Sequence, residues 1–179
     1  MSRDLSFVNM GDIYLYTGTG GGKTTNAIGL AVRAVAHNKK VVMIQFLKWW
    51  EKTGEYKIRK RLGPNYEIYQ FGRKGWKGLK NLGPEDAKLC KKGIKFAEHV
   101  VKTKKPFLLI LDEINLAVHC KLLNVSDVIA VLKKIPKRTH VVLTGRFAPK
   151  EFYKIADYVN EIVDIKHPKK IRAIAGIQY

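Results

Sequence analysis

The run Thr17-Gly18-Thr19-Gly20-Gly21-Gly22-Lys23-Thr24-Thr25 has the residue types and spacing of a phosphate cradle. It follows a short apolar run, Ile13 to Tyr16, and leads into Asn26 to Ala31, where apolar residues recur at helical spacing. Glycines let such a turn curl until successive backbone N–H groups point inward, and the following helix adds its positive end. Lys23 offers a full charge to the outer phosphates, and the Thr24 hydroxyl is the group expected to hold a magnesium ion. Glycine-rich turns alone are common, but Gly-Lys-Thr-Thr between a strand and a helix is far rarer. The segment predicts nucleoside triphosphate binding. Its spacing departs from the usual Gly-x-x-x-x-Gly-Lys pattern. That first position is Thr17 here, and Gly18 to Gly22 encloses only Thr19, Gly20 and Gly21, which implies a different phosphate register.

Other polar residues stand at the ends of apolar runs. Phe107 to Leu111 leads into Asp112 and Glu113, where P-loop proteins place the carboxylate that orders the magnesium shell. Carboxylates at a strand end also cap helices; the loop upstream favours the metal role. Arg146 follows Leu143-Thr144-Gly145 and is placed to neutralise phosphate charge, with a surface salt bridge as its plainer use. Gln45 and Lys48 end another run and give a weaker signal.

These groups need a frame that gathers strand ends. Val41 to Phe46 is a nearly continuous apolar run, as expected for a strand buried on both faces. The spacing predicts a helix from the loop to about His37, with Asn38 suited to the left-handed turn that stops it. A polar helical stretch is expected from Glu51 to Arg61, broken by Gly63-Pro64, then a strand from Tyr66 to Phe71. Pro84 suits the first turn of a helix whose apolar stripe is Cys90, Ile94, Ala97 and Val101. Val125 to Leu132 reads as a helix, His140 to Thr144 as a strand, Pro149 to Ala156 as a helix and Tyr158 to Val163 as a last strand. The alternation predicts an α/β fold: a mostly parallel sheet with helices on both faces and ligands at the strands' C-terminal ends. No linker or repeat interrupts it, so residues 1–179 are expected to form a single domain of P-loop NTPase-like (RecA-like) type.

Composition narrows the function classes. Two distant cysteines, Cys90 and Cys120, suggest buried thiols in a reducing compartment, and five scattered histidines predict no zinc site. The N-terminus lacks the apolar stretch of a signal peptide, and no run reaches membrane-spanning length. We expect a cytoplasmic protein without a membrane partner. The net charge of +19 invites a nucleic-acid reading, but the basic residues are spread over the whole chain. A solvated lysine-rich surface explains them better, and it would steer an anionic nucleotide inward.

The accumulated pattern resembles the P-loop-bearing corrinoid adenosyltransferases of the cob(I)alamin type. Tyr16 to Thr25 is similar to that family's Y-T-G-N-G-x-G-K-T-T, shortened loop included. Arg33 to Val41, Gln45-Phe46-Leu47-Lys48, Gly54-Glu55, Leu111 to Asn115, Leu122-Leu123, Leu143 to Arg146, Ala148-Pro149, Ala156-Asp157, Lys166 to Pro168 and the tail Ile171 to Tyr179 fall in its order and spacing. The likeness covers nearly the whole chain. It departs at Ala36 and Asn38, where glycines are usual, and at Trp49-Trp50, which follow Lys48 where the family has glycine. An aromatic-rich loop that faces the corrinoid in the family is matched only loosely by Phe71 to Trp76, with Lys74 in place of phenylalanine.

The resemblance implies transfer of the 5′-deoxyadenosyl group of ATP to a cobalt(I) corrinoid, with release of triphosphate. It implies that Gly18, Thr19, Gly20, Gly21, Gly22, Lys23, Thr24 and Thr25 hold the nucleotide, reversed in the loop. Thr24 and Glu113 would hold Mg²⁺ (or Mn²⁺), with Lys23, Thr24, Glu113 and Arg146 as the catalytic set. Trp49, Trp50, Phe71 and Trp76 are candidates for an aromatic wall against the macrocycle. An electron donor that reduces cobalt and a homodimer are implied as well. Rival readings are a P-loop ATPase or small-molecule kinase, and an ATP-switched nucleic-acid-binding protein.

Overall fold

Six short strands pair side by side in the computed structural model, which describes residues 11–75, 78–168, 170 and 172–179. In chain order the elements are β1 (Ile13–Thr17), α1 (Lys23–Ala36), β2 (Val41–Phe46), α2 (Gly54–Lys57), α3 (Arg59–Leu62) and β3 (Tyr66–Phe71). After a 3₁₀ turn at Leu79–Asn81 come α4 (Pro84–Thr103), β4 (Leu108–Asp112), α5 (Ile114–His119), α6 (Val125–Leu132), β5 (His140–Thr144), α7 (Lys150–Ile155) and β6 (Tyr158–Glu161). The strands form one sheet in the order β3-β2-β4-β5-β1-β6, and every pairing is parallel. The expected α/β architecture is observed, and the sheet is wholly parallel among the described residues.

Strand alternation sorts the core into two layers. Met43, Ile110 and Val142 pack with Ala27, Ala31 and Ala34 of α1. Val42, Ile44, Leu109, Leu111 and Leu143 turn to the opposite face, against Cys90, Ile94, Ala97 and Val101 of α4, Val128 and Leu132 of α6, and Phe152 of α7. Gly93 brings α4 close to the sheet: a Cβ there would lie 2.8 Å from the Phe46 ring. Pro84 opens α4 as expected, and the Gly83 N–H donates to Asp86 Oδ2 at 2.9 Å. Asn38 takes the left-handed conformation that ends the α1 turn, with φ of 57°.

Two local expectations need correction, and one element was not anticipated. The polar stretch from Glu51 to Arg61 forms two short helices rather than one, with Ile58 between them. Pro149 caps α7 in an extended conformation instead of sitting in its first turn. The short helix α5 follows Glu113 directly and had no counterpart in the sequence reading.

Candidate active site

The C-terminal ends of β1, β2, β4 and β5 open on a cavity of about 580 Å³, within the usual range for small-molecule sites. After β1, which lies between β5 and β6, the chain crosses through α1 to β2 beyond β4, and the cavity lies at the carboxyl ends of the strands, where open α/β sheets bind ligands. Gly20, Gly21, Gly22, Lys23, Thr24 and Thr25 line it, together with Lys48, Glu55, Glu113 and Arg146. Four separate strand ends therefore converge as the sequence predicts.

The loop after β1 is shaped by two glycines with positive φ, Gly18 at 96° and Gly22 at 99°. Gly18 and Thr19 do not line the cavity. Gly18 packs instead against the segment after β6: a Cβ there would meet the Ile162 carbonyl oxygen at 2.3 Å. The Gly20 N–H donates to that same carbonyl at 2.8 Å, and the Gly21 N–H donates to Asp164 Oδ1 at 3.2 Å. The cradle is thus braced from the β6 side. Lys23 is 7% exposed, and its ammonium donates to the Gly20 carbonyl across the curl of the loop. Burial holds its pKa below the ordinary lysine range, against the opposing pull of Glu113.

The next shell centres on Asp112, which is fully buried. Its Oδ1 accepts from the Thr24 hydroxyl at 2.9 Å and from the Thr144 hydroxyl at 2.6 Å. Its Oδ2 accepts from Gln45 Nε2 at 3.0 Å and lies 2.7 Å from the Lys48 ammonium. Burial alone would raise the Asp112 pKa, but Lys48 and these donors outweigh it and hold the carboxyl below the usual range. Burial likewise disfavours charge on Lys48, yet Asp112, Glu113 and Glu55 keep its pKa above the ordinary lysine value.

Glu113 behaves differently. It sits in the left-handed region, φ 62°, at the N-cap of α5, which turns its side chain into the cavity. Its Oε2 is buried without a hydrogen-bond partner. Burial and the adjacent Asp112 charge both push its pKa up, with Lys48, Lys23 and Arg146 opposing. Arg146 follows Gly145, whose φ of 131° admits the turn, and Asn115 Nδ2 fastens the Gly145 carbonyl at 3.0 Å. Arg146 is exposed at the cavity edge.

The structure refines the expected set. Thr24 is bonded to Asp112 rather than Glu113, and Asp112 is the organising carboxylate of the site. Strand alternation carried a signal for this: Ile110 packs on the α1 face, so Asp112, two residues on, faces α1 and Thr24. Lys48 and Glu55 join the cavity lining, as do His167 and the C-terminal residues Gly176, Ile177, Gln178 and Tyr179. No periodic pattern marks that tail. Among the aromatic candidates, Trp50 contacts Tyr179 at the cavity roof, with ring centroids 4.8 Å apart. Phe71 instead packs on Phe96 of α4. Trp76 lies outside the described residues. No helix among the described residues is long and apolar enough to cross a membrane.

A glycine-rich loop beside a buried carboxylate hub is common to many nucleotide enzymes, and comparison narrows the field. The family described as ATP:corrinoid adenosyltransferase BtuR/CobO/CobP matches residues 9–179. A relative from Sinorhizobium sp., named corrinoid adenosyltransferase, is 34% identical over 173 residues, covering 94% of this chain and 80% of its own length. A protein of that name from Escherichia coli (strain K12) is 32% identical over 171 residues, covering 94% of this chain and 86% of its own. The corrinoid adenosyltransferase CobA of Salmonella typhimurium is 31% identical over the same span of 171 residues.

Proposed function

We propose how this chain, which belongs to the ATP:corrinoid adenosyltransferase family, carries out its reaction. It is a transferase that moves the adenosyl group of ATP to a corrinoid, in cobalamin biosynthesis. In the proposed chemistry the cobalt(I) electron pair attacks the ribose C5′ of ATP and forms the cobalt–carbon bond. The C5′–O bond breaks, and its electron pair leaves with triphosphate. Cobalt rises formally from (I) to (III). Cobalt(I) is itself an intense nucleophile, so the protein has no need to generate one. None of the described residues lining the cavity is serine or cysteine.

The protein's task is then to hold the departing charge. The observation that carries this reading is the convergence of Lys23, Lys48 and Arg146 on one cavity lined by the glycine loop and the N-terminus of α1. Fixed cations and amides aimed at a charge that grows during reaction lower the barrier without reorganising. An arriving phosphate would offset the burial that disfavours charge on Lys23.

Mg²⁺ or Mn²⁺ fits the site. Thr24 offers a hydroxyl oxygen and Glu113 an orphaned carboxylate oxygen, hard donors suited to an ion that keeps most of its shell from water and phosphates. Bound there, the ion would neutralise phosphate charge. Gly20 to Thr25 bind and orient the phosphates, and Arg146 closes the outer edge. Gly18 and Thr19 act indirectly, by seating the loop on Ile162. The loop containing Trp76 is assigned to the corrinoid side. The reading further takes a single domain, a homodimeric assembly, a cytoplasmic location, an electron donor able to reach cobalt(I), and no nucleic-acid partner.

Anaerobic incubation with ATP, Mg²⁺ and chemically reduced cobalamin tests the proposal. Conversion of the cobalt(I) absorption spectrum to that of an alkylated, light-sensitive corrinoid is the expected result. Hydrolysis of ATP with the corrinoid unchanged would favour an ATPase, and salt-sensitive DNA binding without turnover would favour a regulator.

A further inference from the structure

Lys48 occupies the position between the Thr24 hydroxyl and the Asp112 carboxylate. Its Nζ lies 3.1 Å from Thr24 Oγ1, 2.7 Å from Asp112 Oδ2 and 3.8 Å from Glu55 Oε1. Thr24 in turn donates its proton to Asp112 Oδ1, so one oxygen lone pair of Thr24 is taken by an ammonium. A divalent cation bound through the remaining lone pair of Thr24 would sit directly beside that ammonium.

The placement of Lys48 is built into the backbone. Leu47, just before it, holds a left-handed φ of 59°, and its N–H donates to the Phe71 carbonyl at 3.1 Å. Gly72 runs so close that a Cβ there would lie 2.5 Å from the Lys48 backbone nitrogen. Gln70 Nε2 donates to Gln45 Oε1 at 2.9 Å, and Gln45 Nε2 holds both Asp112 and Glu55. Two loops and two glutamines thus fix an ammonium against Thr24.

We propose that Lys48 is a positioning residue that serves as the resident cation of the Thr24–Asp112 pair, barring free divalent metal until nucleotide arrives. Like charges repel at these separations, so a bare ion cannot take Thr24 while Lys48 is held there. An ion carrying nucleotide phosphates brings negative charge of its own. The ammonium is then released from Thr24 toward Glu55 and the phosphates. The consequence is an imposed order: metal and nucleotide enter as one complex.

This inference rests on the reading that Thr24 takes the divalent ion, and Mn²⁺ electron paramagnetic resonance tests both with the full chain. Without ATP, the wild-type protein is expected to leave Mn²⁺ free, whereas ATP recruits it. Lys48→Gln should bind Mn²⁺ in the absence of ATP about tenfold more tightly than wild type, and Lys48→Arg should behave as wild type. Mn²⁺ affinity that is unchanged in Lys48→Gln would overturn the inference. Should that variant not fold, wild type alone decides, because nucleotide-free binding as tight as the ATP-supported kind also overturns it. If ATP recruits no Mn²⁺ to wild type, the metal assignment at Thr24 fails first and takes this inference with it.

Discussion

The Trp50 indole and the Tyr179 phenol ring lie 4.8 Å apart at a tilt of 39°. This contact joins the loop after β2 to the C-terminal residues that line the cavity. Aromatic pairs of this kind contribute about 0.5–1.5 kcal/mol beyond area burial. Trp50→Ala should therefore raise the KM for ATP about two- to tenfold, with kcat nearly unchanged, and Trp50→Phe should recover most of the loss. Steady-state kinetics decide the point; a fall in kcat alone would place Trp50 in the chemistry instead of the roof.

Lys23 is buried at the curl of the loop, and no other ammonium is bonded to the Gly20 carbonyl among the described contacts. Lys23→Ala should cut kcat/KM about 10²–10³-fold, the usual loss when one fixed group facing a developing negative charge is removed. Circular dichroism should show an unchanged fold. An active variant would remove the loop from the mechanism.

Glu113 is held above its ordinary pKa by burial and by Asp112. The folded protein thus binds this proton more tightly than the unfolded chain, whose glutamates titrate near about 4.3. The corresponding stability is complete below that value and is lost as pH rises through the folded pKa. With no metal or nucleotide bound, burial and the Asp112 charge make ionising Glu113 a net cost. Glu113→Gln should be more stable than wild type at pH 7 by about 1 kcal/mol or more, and the gap should close near pH 4. The same variant should lose most transferase activity. Thermal melts across that range, alongside turnover, test the pair of effects.

Asp112 has the opposite sign. Lys48 and the surrounding donors hold its carboxyl below the ordinary value, so its contribution is present above about pH 4 and disappears as pH falls through the folded pKa. Asp112→Asn leaves Lys48 facing an amide and should destabilise the protein by about 3–5 kcal/mol. Calorimetry at pH 7 should show the Tm falling by roughly 10 °C. A wild-type Tm would mean that the hub is dispensable to the fold.

Much of this arrangement was legible before the structure. The central strands are aliphatic almost without interruption because both faces are covered, which is why Val41 to Phe46 and Leu108 to Leu111 could be placed closely. The phosphate loop announced itself through Gly-Lys-Thr-Thr. Its inner geometry did not: the close packing of Gly18 against Ile162 depends on a chain segment far away in sequence. The choice of Asp112 over Glu113 as the partner of Thr24 was written in strand alternation but needed α1's side of the sheet to be known. The left-handed backbone that swings Glu113 back to the cavity is set by the tight entry into α5, a helix too short to leave a periodic trace. The roofing tail and its contact with Trp50 arise from tertiary packing alone.

Adenosyl transfer and phosphate hydrolysis differ in which bond of ATP breaks. Phosphorus NMR of the products, after one anaerobic turnover with Mg²⁺ and chemically reduced cobalamin, reads that bond directly. Inorganic triphosphate in equal amount to the adenosylated corrinoid is the predicted outcome. ADP and orthophosphate, with the corrinoid recovered unalkylated, would contradict it.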